Sequence, residues 1–224
     1  MLWFSVIASA LAPGLALLTY FYLKDRYEQE PLIMVIKVFL LGFLIVVPVM
    51  IIQRGMTSGF GGNPYVESFI ISSFVEEFLK WFVLYHMIYN HTEFDEPYDG
   101  IVYSVFIALG FAGLENVLYV LHPELGGLGT ALIRAVLSVP AHGLFAVTTG
   151  YYFAMAKFHP SRRSLFLLKA FAVTWFLHGA YDFLLMAQMP IFLVLFVPLM
   201  AYMWHNGLRQ IKAHLEASPF KISA

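Results

Sequence analysis

The stretch Phe69–Tyr89 reads FIISSFVEEFLKWFVLYHMIY. It is long enough to cross a bilayer as a helix, since about 20 apolar residues span the hydrocarbon core. Its centre nevertheless holds the adjacent glutamates Glu76 and Glu77, followed by Lys80. One acidic residue at the bilayer centre costs about 2.5–3.5 kcal/mol on insertion scales, so an acidic pair at this depth indicates a functional site.

The composition of the whole chain is that of a membrane protein. Of its 224 residues, 60% are hydrophobic and 12% are charged, and the mean hydropathy is +0.76. These values lie far outside the norm for soluble domains, so membrane lipid is the expected surrounding. A net charge of −1 offers no basic surface to nucleic acid, which is not expected as a partner. The absence of cysteine excludes disulfides, cysteine nucleophiles and thiolate metal sites.

The hydropathy pattern predicts an all-α, polytopic membrane protein that forms a single domain over residues 1–224. Breaks rich in glycine or containing proline separate the apolar runs, and no long soluble segment interrupts them. About seven transmembrane helices are predicted, at Leu2–Leu23, Leu32–Gln53, Phe69–Tyr89, Tyr98–Leu121, Thr130–Lys157, Ser164–Ala187 and, as a short last span, Ile191–His205.

Lysine and arginine residues define the predicted orientation, because cytoplasmic loops are enriched in both. Seven alternating spans bring the basic clusters to one side when the N-terminus is outside and the C-terminus is cytoplasmic. Arg54 and Arg134 then remain near outer ends. The basic clusters lie at Lys24 and Arg26, at Lys157, Arg162 and Arg163, and at Arg209, Lys212 and Lys221.

In this topology, ionisable side chains from four spans reach the same depth. A helix rises about 1.5 Å per residue, so counting from the predicted ends places them between the midplane and the outer surface. Polar residues with independent structural roles would not need to share a layer. The shared layer predicts one site, formed by Glu76, Glu77, Glu115, His142, His178 and Asp182.

The spacing within the third span suggests acid–base chemistry. Lys80 lies four residues after Glu76 and three after Glu77, so its ammonium can reach either carboxylate along one helix face. Two carboxylates that share one cation in an apolar environment cannot both ionise at low cost. Such a pair suits a general acid or base that activates water.

The sixth span carries a second pair at helical spacing. Asp182 lies four residues after His178, so its carboxylate can orient the imidazole. A positioned histidine can donate to a developing oxyanion, and His142 is a candidate second donor. Purely structural interpretations stay open for Glu115 with Asn116, which can link helices, and for His142, which follows Pro140 and can satisfy backbone freed by a kink.

Several ordered motifs resemble the PrsW family of intramembrane proteases, and together they cover nearly the whole chain. The resemblance begins with Ala12–Gly14, Tyr20–Asp25 and Glu30–Pro31. It continues through Glu76–Trp81, Tyr98–Tyr103, Leu109–Ala112, Glu115–Tyr119, His142 and His178–Asp182.

The resemblance implies an enzyme of the bacterial cell membrane that makes the first, extracytoplasmic cut in a single-span anti-sigma factor. Glu76, Glu77 and His178 match the family's essential positions, and Glu115, His142 and Asp182 are further matches. The family is distantly similar to the CAAX prenyl endopeptidases, which carry an arginine where this chain has Lys80. A lysine lacks the bidentate fork of arginine, so a clamping role does not transfer directly.

Other functions remain open at the level of the sequence. No cofactor is expected, but two histidines and several carboxylates in one layer could bind zinc, although no HExxH helix is present. Buried acids and histidines also occur in proton or ion transporters, although no internal repeat supports that interpretation. A receptor or scaffold without catalysis would predict that changing Glu76 alters stability rather than turnover.

Overall fold

A computed structural model describes residues 2–124, 126–187 and 190–221, and this part of the chain is helical with no strand. A π turn at Val66–Ser72 precedes the fourth α-helix, and a 3₁₀ turn at Pro160–Arg162 precedes the eighth. The α-helices are α1 Leu2–Lys24, α2 Leu32–Leu44, α3 Val46–Phe60, α4 Ser73–Met87, α5 Pro97–Val120, α6 Leu128–Val136, α7 Ser138–Phe158, α8 Arg163–Met186 and α9 Pro190–Glu216.

The central helix is α5, which is buried along most of its length. A helix buried on all sides needs no polar face, and the apolar residues of α5 accordingly surround its axis. Glycines allow close approach of its neighbours: a Cβ at Gly42 or Gly110 would meet the α2–α5 backbone, and one at Gly100 or Gly150 would meet the α5–α7 backbone. Small residues support helix packing in a bilayer in the same way.

Five segments among the described residues are long and apolar enough to cross a membrane. They correspond to the predicted first, second, fourth, fifth and sixth spans, at Phe4–Lys24, Leu32–Phe60, Pro97–Val120, Leu128–Phe158 and Pro160–Met186. The predicted third and seventh spans are not among these five. The helical segment that covers the third carries Glu76, Glu77 and Lys80, which lower its hydropathy.

Two of the predicted spans are each divided into two helices at a single residue near a proline, although each forms one candidate membrane-crossing segment. The predicted Leu32–Gln53 helix is interrupted at Ile45, and the predicted Thr130–Lys157 helix at Leu137. In each case a proline follows three residues later, Pro48 or Pro140. Proline lacks the N–H that would bond to the carbonyl four residues earlier, and its ring clashes with that carbonyl.

The last helix is much longer than the predicted short span at Ile191–His205. It runs from Pro190 to Glu216, because the polar residues after His205 end the apolar run without ending the helix. Arg209 and Lys212 belong to residue types with a high intrinsic helix propensity, so the helix can continue into solvent. This extension continues α9 along the bundle and places His214 in contact with α7.

The buried His214 makes stability depend on pH. Its Nε2 lies 3.1 Å from the Tyr151 carbonyl, and burial lowers the pKa of His214 to about 4. The unfolded chain binds a proton near pH 6.5, so stability present above that pH is lost as the pH falls towards 4, by up to about 3 kcal/mol. We expect His214→Gln to flatten the acid limb of a pH–stability curve measured on the protein in detergent.

A matched control is available on the same helix, because His205 is exposed. His205→Gln should leave the acid limb as it is in the unaltered protein. Equal slopes for the unaltered protein and His214→Gln would contradict the assignment of a buried, neutral His214.

Candidate active site

The π turn sets the position of α4 next to α8. Its wider winding lets the Ser73 N–H bond to the Ser68 carbonyl, five residues earlier. The Phe69 carbonyl accepts a hydrogen bond from Trp175 Nε1 at 2.6 Å, and the Phe69 ring packs where Gly179 has no side chain. Such π turns often occur at functional sites. Here the turn packs against α8, so that the helix of the glutamate pair lies next to the helix of His178.

Lys80 is the hub of the buried polar groups. Its Nζ lies 3.2 Å from Glu76 Oε2, 2.8 Å from Glu77 Oε1 and 3.3 Å from His142 Nδ1. An ammonium has three N–H donors and no acceptor, so these three partners use all of them. All four residues are at most 5% exposed. Charge-assisted hydrogen bonds therefore hold both glutamates and one histidine around a single buried cation.

The contact with Lys80 fixes the proton position on His142. Because an ammonium can only donate, Nδ1 of His142 must accept and the ring proton lies on Nε2. That Nε2 is 3.2 Å from Glu115 Oε2, which accepts its hydrogen bond. His142 is thus already committed to Glu115 in this structure, which weakens the sequence-based interpretation of His142 as a free second oxyanion donor.

His178 has a carboxylate at each ring nitrogen. Nδ1 lies 2.9 Å from Glu77 Oε1, and Nε2 lies 3.5 Å from Asp182 Oδ2. The ring stacks on Phe145 with 4.5 Å between centroids. Asp182 in turn accepts a 2.5 Å hydrogen bond from Ser72 Oγ. The shorter contact shows that Glu77 orients this ring more closely than Asp182, the orienting residue suggested by the sequence.

The sequence did not identify Arg134 as part of this network. Its Nη2 lies 2.7 Å from Glu115 Oε2, and its Nε lies 2.8 Å from Asn116 Oδ1. Asn116 Nδ2 donates to the Ala10 carbonyl at 2.6 Å, so Asn116 links α1 to α5 as a structural residue would. The available signal was the position of Arg134 itself, an arginine near a predicted outer end, where basic residues are disfavoured.

A cavity of about 940 Å³ opens beside these groups. Its wall is largely apolar and extends from the buried site to Thr57 and Met186, near the ends of α3 and α8. Glu77 and Lys80 are not among the residues that line it. The ionisable residues of the predicted site that do line it are Glu76, Glu115, His142, His178 and Asp182.

The structure therefore brings all six predicted site residues together and divides them by position. Glu76 faces the cavity, whereas Glu77 lies behind it and touches Lys80 and His178. Gln53, which the sequence analysis did not single out, donates from Nε2 to Glu76 Oε1 at 3.3 Å. A glutamine at the predicted outer end of a span carried no distinguishing signal.

The donor set fits a divalent metal in type and spacing. One donor atom from each of Glu76, Glu77, His142 and His178 lies within 4.8 Å of the others, and all four side chains are buried. Zinc accepts this mixture of imidazole and carboxylate ligands. The ammonium of Lys80, however, already contacts three of the four residues. Two cations in this volume would repel each other strongly at low dielectric.

The family model described as PrsW family intramembrane metalloprotease matches residues 30–203, a range that contains every residue of this site. A protein named Protease PrsW from Geobacillus kaustophilus is 48% identical over 212 residues, covering 93% of this chain and 92% of the relative.

Two further relatives carry the same name. The Bacillus subtilis protein is 43% identical over 211 residues, covering 93% of this chain and 95% of the relative. The Clostridioides difficile protein is 34% identical over 217 residues, covering 93% and 91% respectively. No solved structure matches the chain.

Proposed function

The chain belongs to the PrsW family of intramembrane proteases, and from that premise we propose that it makes the first cut in a membrane-bound anti-sigma factor, on the extracytoplasmic side of a bacterial cell membrane. It is a peptide-bond hydrolase. The observation that carries the proposal is the 940 Å³ cavity, which holds a buried carboxylate, Glu76, and a buried imidazole, His178, on its wall. Family membership favours this function over the transporter and scaffold alternatives.

We propose that Glu76 is the general base and that water is the nucleophile. Glu76 lines the cavity, so a water molecule there can reach its carboxylate. Lys80 and Gln53 hold the carboxylate in place at 3.2 and 3.3 Å. Removal of a proton from water by Glu76 produces the hydroxide that attacks the peptide carbonyl, and the protonated Glu76 can then deliver the proton to the leaving amine.

His178 is the proposed oxyanion donor. Its Nδ1 is close to Glu77 Oε1, whereas the 3.5 Å contact of Nε2 with Asp182 is too long for a strong hydrogen bond. Because a carboxylate only accepts, Nδ1 donates to Glu77, and Nε2 also carries a proton when the ring is the imidazolium, the form that two neighbouring carboxylates stabilise. That Nε2 proton is available to an oxygen in the cavity. Glu77 acts as a positioning residue, because it orients His178 and contacts Lys80 without lining the cavity. A preorganised donor of this kind is worth about 10²–10³ in rate.

We retain the seven-span topology, with the N-terminus outside and the C-terminus cytoplasmic, as part of the proposal. Contacts among helix ends support it. Lys157 at the end of α7 bonds to the carbonyls of Tyr89 and His91 after α4, and Tyr98 at the start of α5 bonds to Phe21 near the end of α1. Odd-numbered spans would all end at that face, and the cavity would then open at the outer face.

The apolar cavity wall suits a single-span membrane protein as substrate. A peptide bond can be attacked only where its segment leaves the helical state, because a helix protects its backbone through internal hydrogen bonds. A cavity that opens near one end of the helix bundle can hold a stretch of the substrate that has unwound close to the bilayer surface. We therefore expect the cut to lie within the first turns beneath the outer boundary of the substrate span.

A co-expression experiment tests the proposed function. Single-span membrane proteins, including anti-sigma factors, would carry different tags at their two ends and be expressed with this protein or with its Glu76→Gln/Glu77→Gln form. We expect a new fragment pair with the unaltered protein alone, and mass spectrometry should place the cut near the outer end of the substrate span. A cut at the cytoplasmic end, or equal fragments with both forms, would contradict the proposal.

A zinc-dependent version is the second candidate, favoured by the four clustered donors and by the description of the matching family as metalloproteases. Glu76, Glu77, His142 and His178 would hold the ion. When bound, zinc would supply Lewis-acid activation of water and of the substrate carbonyl. In that version Lys80 must move its ammonium away from at least one of these residues.

Metal analysis separates the two versions. For the metal-free site we expect purified protein to contain less than stoichiometric zinc and to keep its cleavage rate after chelation. The measurements are elemental analysis of the protein in detergent and a cleavage assay before and after treatment. One tightly bound zinc per chain, with activity lost on removal and restored by zinc alone, would establish the second version instead.

A further inference from the structure

A second acidic cluster lies at the opposite end of the bundle from the cavity mouth. Asp25 and Glu30 belong to the connection between α1 and α2, and Glu96 and Asp99 lie at the start of α5. Along α5, Asp99 and Glu115 are 16 positions apart, which corresponds to about 24 Å of helix. The cluster is therefore separate from the candidate active site.

The carboxylates of this cluster are buried and incompletely bonded. Their exposed fractions are 1% for Asp25, 3% for Glu30 and 0% for Glu96 and Asp99. Neither side-chain oxygen of Asp25 has a hydrogen-bond partner, and one oxygen of each of the other three also lacks one. Buried acids without partners are costly, so this arrangement requires a compensating group.

Protein hydrogen bonds satisfy only part of the cluster. Tyr103 donates to Glu30, Ser218 donates to Glu96, and Asp99 Oδ2 accepts the backbone N–H of Glu96 at 2.7 Å. These bonds hold the side chains in place and leave the remaining oxygens pointing at one another.

Among the described residues, no basic side chain forms an ion pair with the cluster. The ion pairs found among residues 2–124, 126–187 and 190–221 include none of these four carboxylates. The nearby ammonium of Lys157 is bound instead by the carbonyls of Tyr89 and His91, at 3.1 and 3.0 Å.

We propose that this cluster binds a hard divalent cation, Mg²⁺ or Ca²⁺, through Asp25, Glu96 and Asp99, with Glu30 at its edge. One oxygen from each of the first three residues lies within 4.8 Å of the others. The donors are all carboxylate oxygens, which Mg²⁺ and Ca²⁺ prefer, and no nitrogen or sulfur donor favours a transition metal. The cation supplies the positive charge that the side chains around the cluster do not.

The cation would cross-link segments that are distant in sequence. Asp25 anchors the end of α1, Glu96 and Asp99 anchor the start of α5, and Ser218 connects the segment after α9 through its bond to Glu96. Binding to the folded chain alone stabilises it by mass action. The site has no part in the proposed hydrolysis, so its presence or absence does not decide the proposed function.

Thermal unfolding of the full chain in detergent tests this proposal. Protein treated with chelator would be compared with the same protein in saturating MgCl₂ or CaCl₂. We expect one of these salts to raise the Tm by about 5 °C or more, and calorimetric titration to give one cation per chain. The salt that gives the larger shift at lower concentration identifies the cation.

Asp25→Asn is the decisive variant, because neither side-chain oxygen of Asp25 has a hydrogen-bond partner in the described part of the chain. We expect it to abolish the response to the cation and to leave the Tm in chelator close to that of the unaltered protein, since the amide keeps the shape of the carboxyl group. Glu30→Gln serves as a second variant and should weaken the response. Glu76→Gln, at the other site, should keep the full response.

Two outcomes would overturn the proposal. One is a wild-type Tm that neither salt changes. The other is a response of unchanged size in Asp25→Asn, which would place the bound cation elsewhere in the molecule.

Discussion

Glu76→Gln should lower the cleavage rate by about 10²- to 10⁴-fold, the usual contribution of a positioned general base. Glutamine has nearly the shape of glutamate, and it can still accept from Lys80 and Gln53, but it cannot take a proton from water. The measurement is single-turnover cleavage of a tagged single-span substrate in detergent or proteoliposomes. The Tm of Glu76→Gln should stay close to that of the unaltered protein, which distinguishes a loss of catalysis from a loss of folding.

Glu77→Gln is the matched comparison, because Glu77 is adjacent in sequence but does not line the cavity. We expect a smaller loss, on the order of 10- to 100-fold, as for residues that act through a partner. The pH profile of kcat should also change, since His178 loses its carboxylate partner at Nδ1. Full activity of Glu76→Gln would remove it as the base, and a larger loss in Glu77→Gln would exchange the two roles.

Lys80→Met should produce the largest loss of stability among single changes at the site. It removes the charged partner of both buried glutamates and a donor to His142. Breaking a buried ion pair by deleting one partner costs about 3–5 kcal/mol, because the remaining charge is left in an apolar environment. The measurement is the free energy of unfolding, obtained by titrating the detergent-solubilised protein with a denaturing detergent.

Two controls accompany Lys80→Met. Lys212 pairs with Glu216 at 3.7 Å, but its side chain is 76% exposed, so Lys212→Met should change stability by less than about 1 kcal/mol. Adding Glu77→Gln to Lys80→Met should recover part of the lost stability, because one uncompensated charge disappears. A neutral effect of Lys80→Met would show that the cation in this site is not the lysine, as expected if a metal ion lies there.

The sequence was sufficient to single out six of the side chains that the structure brings together, but not Arg134 or Gln53. Lys80 lies at helical spacing from Glu76 and Glu77, and Asp182 lies at helical spacing from His178. Residues at this spacing share a helix face, which can be predicted without knowing the tertiary structure. The depth of each residue follows from helix rise and span direction. Charged residues inside apolar runs are rare, which made these candidates easy to separate from the rest.

Features that depend on rotation about helix axes could not be predicted. Whether Glu76 or Glu77 faces the cavity depends on a helix rotation that the pair alone does not define. The π turn has no sequence signature, and the role of Arg134 depends on the break at Leu137, which aims α6 at Glu115. The acidic cluster of Asp25 and its neighbours was missed because its members lie in loops and helix starts, where acidic residues are common.

The π turn also has an evolutionary consequence. It contains one residue more than a regular helical turn, and each residue of an α-helix corresponds to about 100° of rotation. A π turn spreads this extra residue over about the same rotation as one regular turn, because its bonds close over five residues instead of four. A chain with one residue deleted between Val66 and Ser72 could therefore close a regular α-helical turn and keep Glu76 and Glu77 directed at α8. The same deletion just after the turn has no wide turn to absorb it, and it would rotate both glutamates by about 100° away from His178. Active homologues should therefore tolerate a one-residue deletion inside the turn but not one between Ser73 and Glu76.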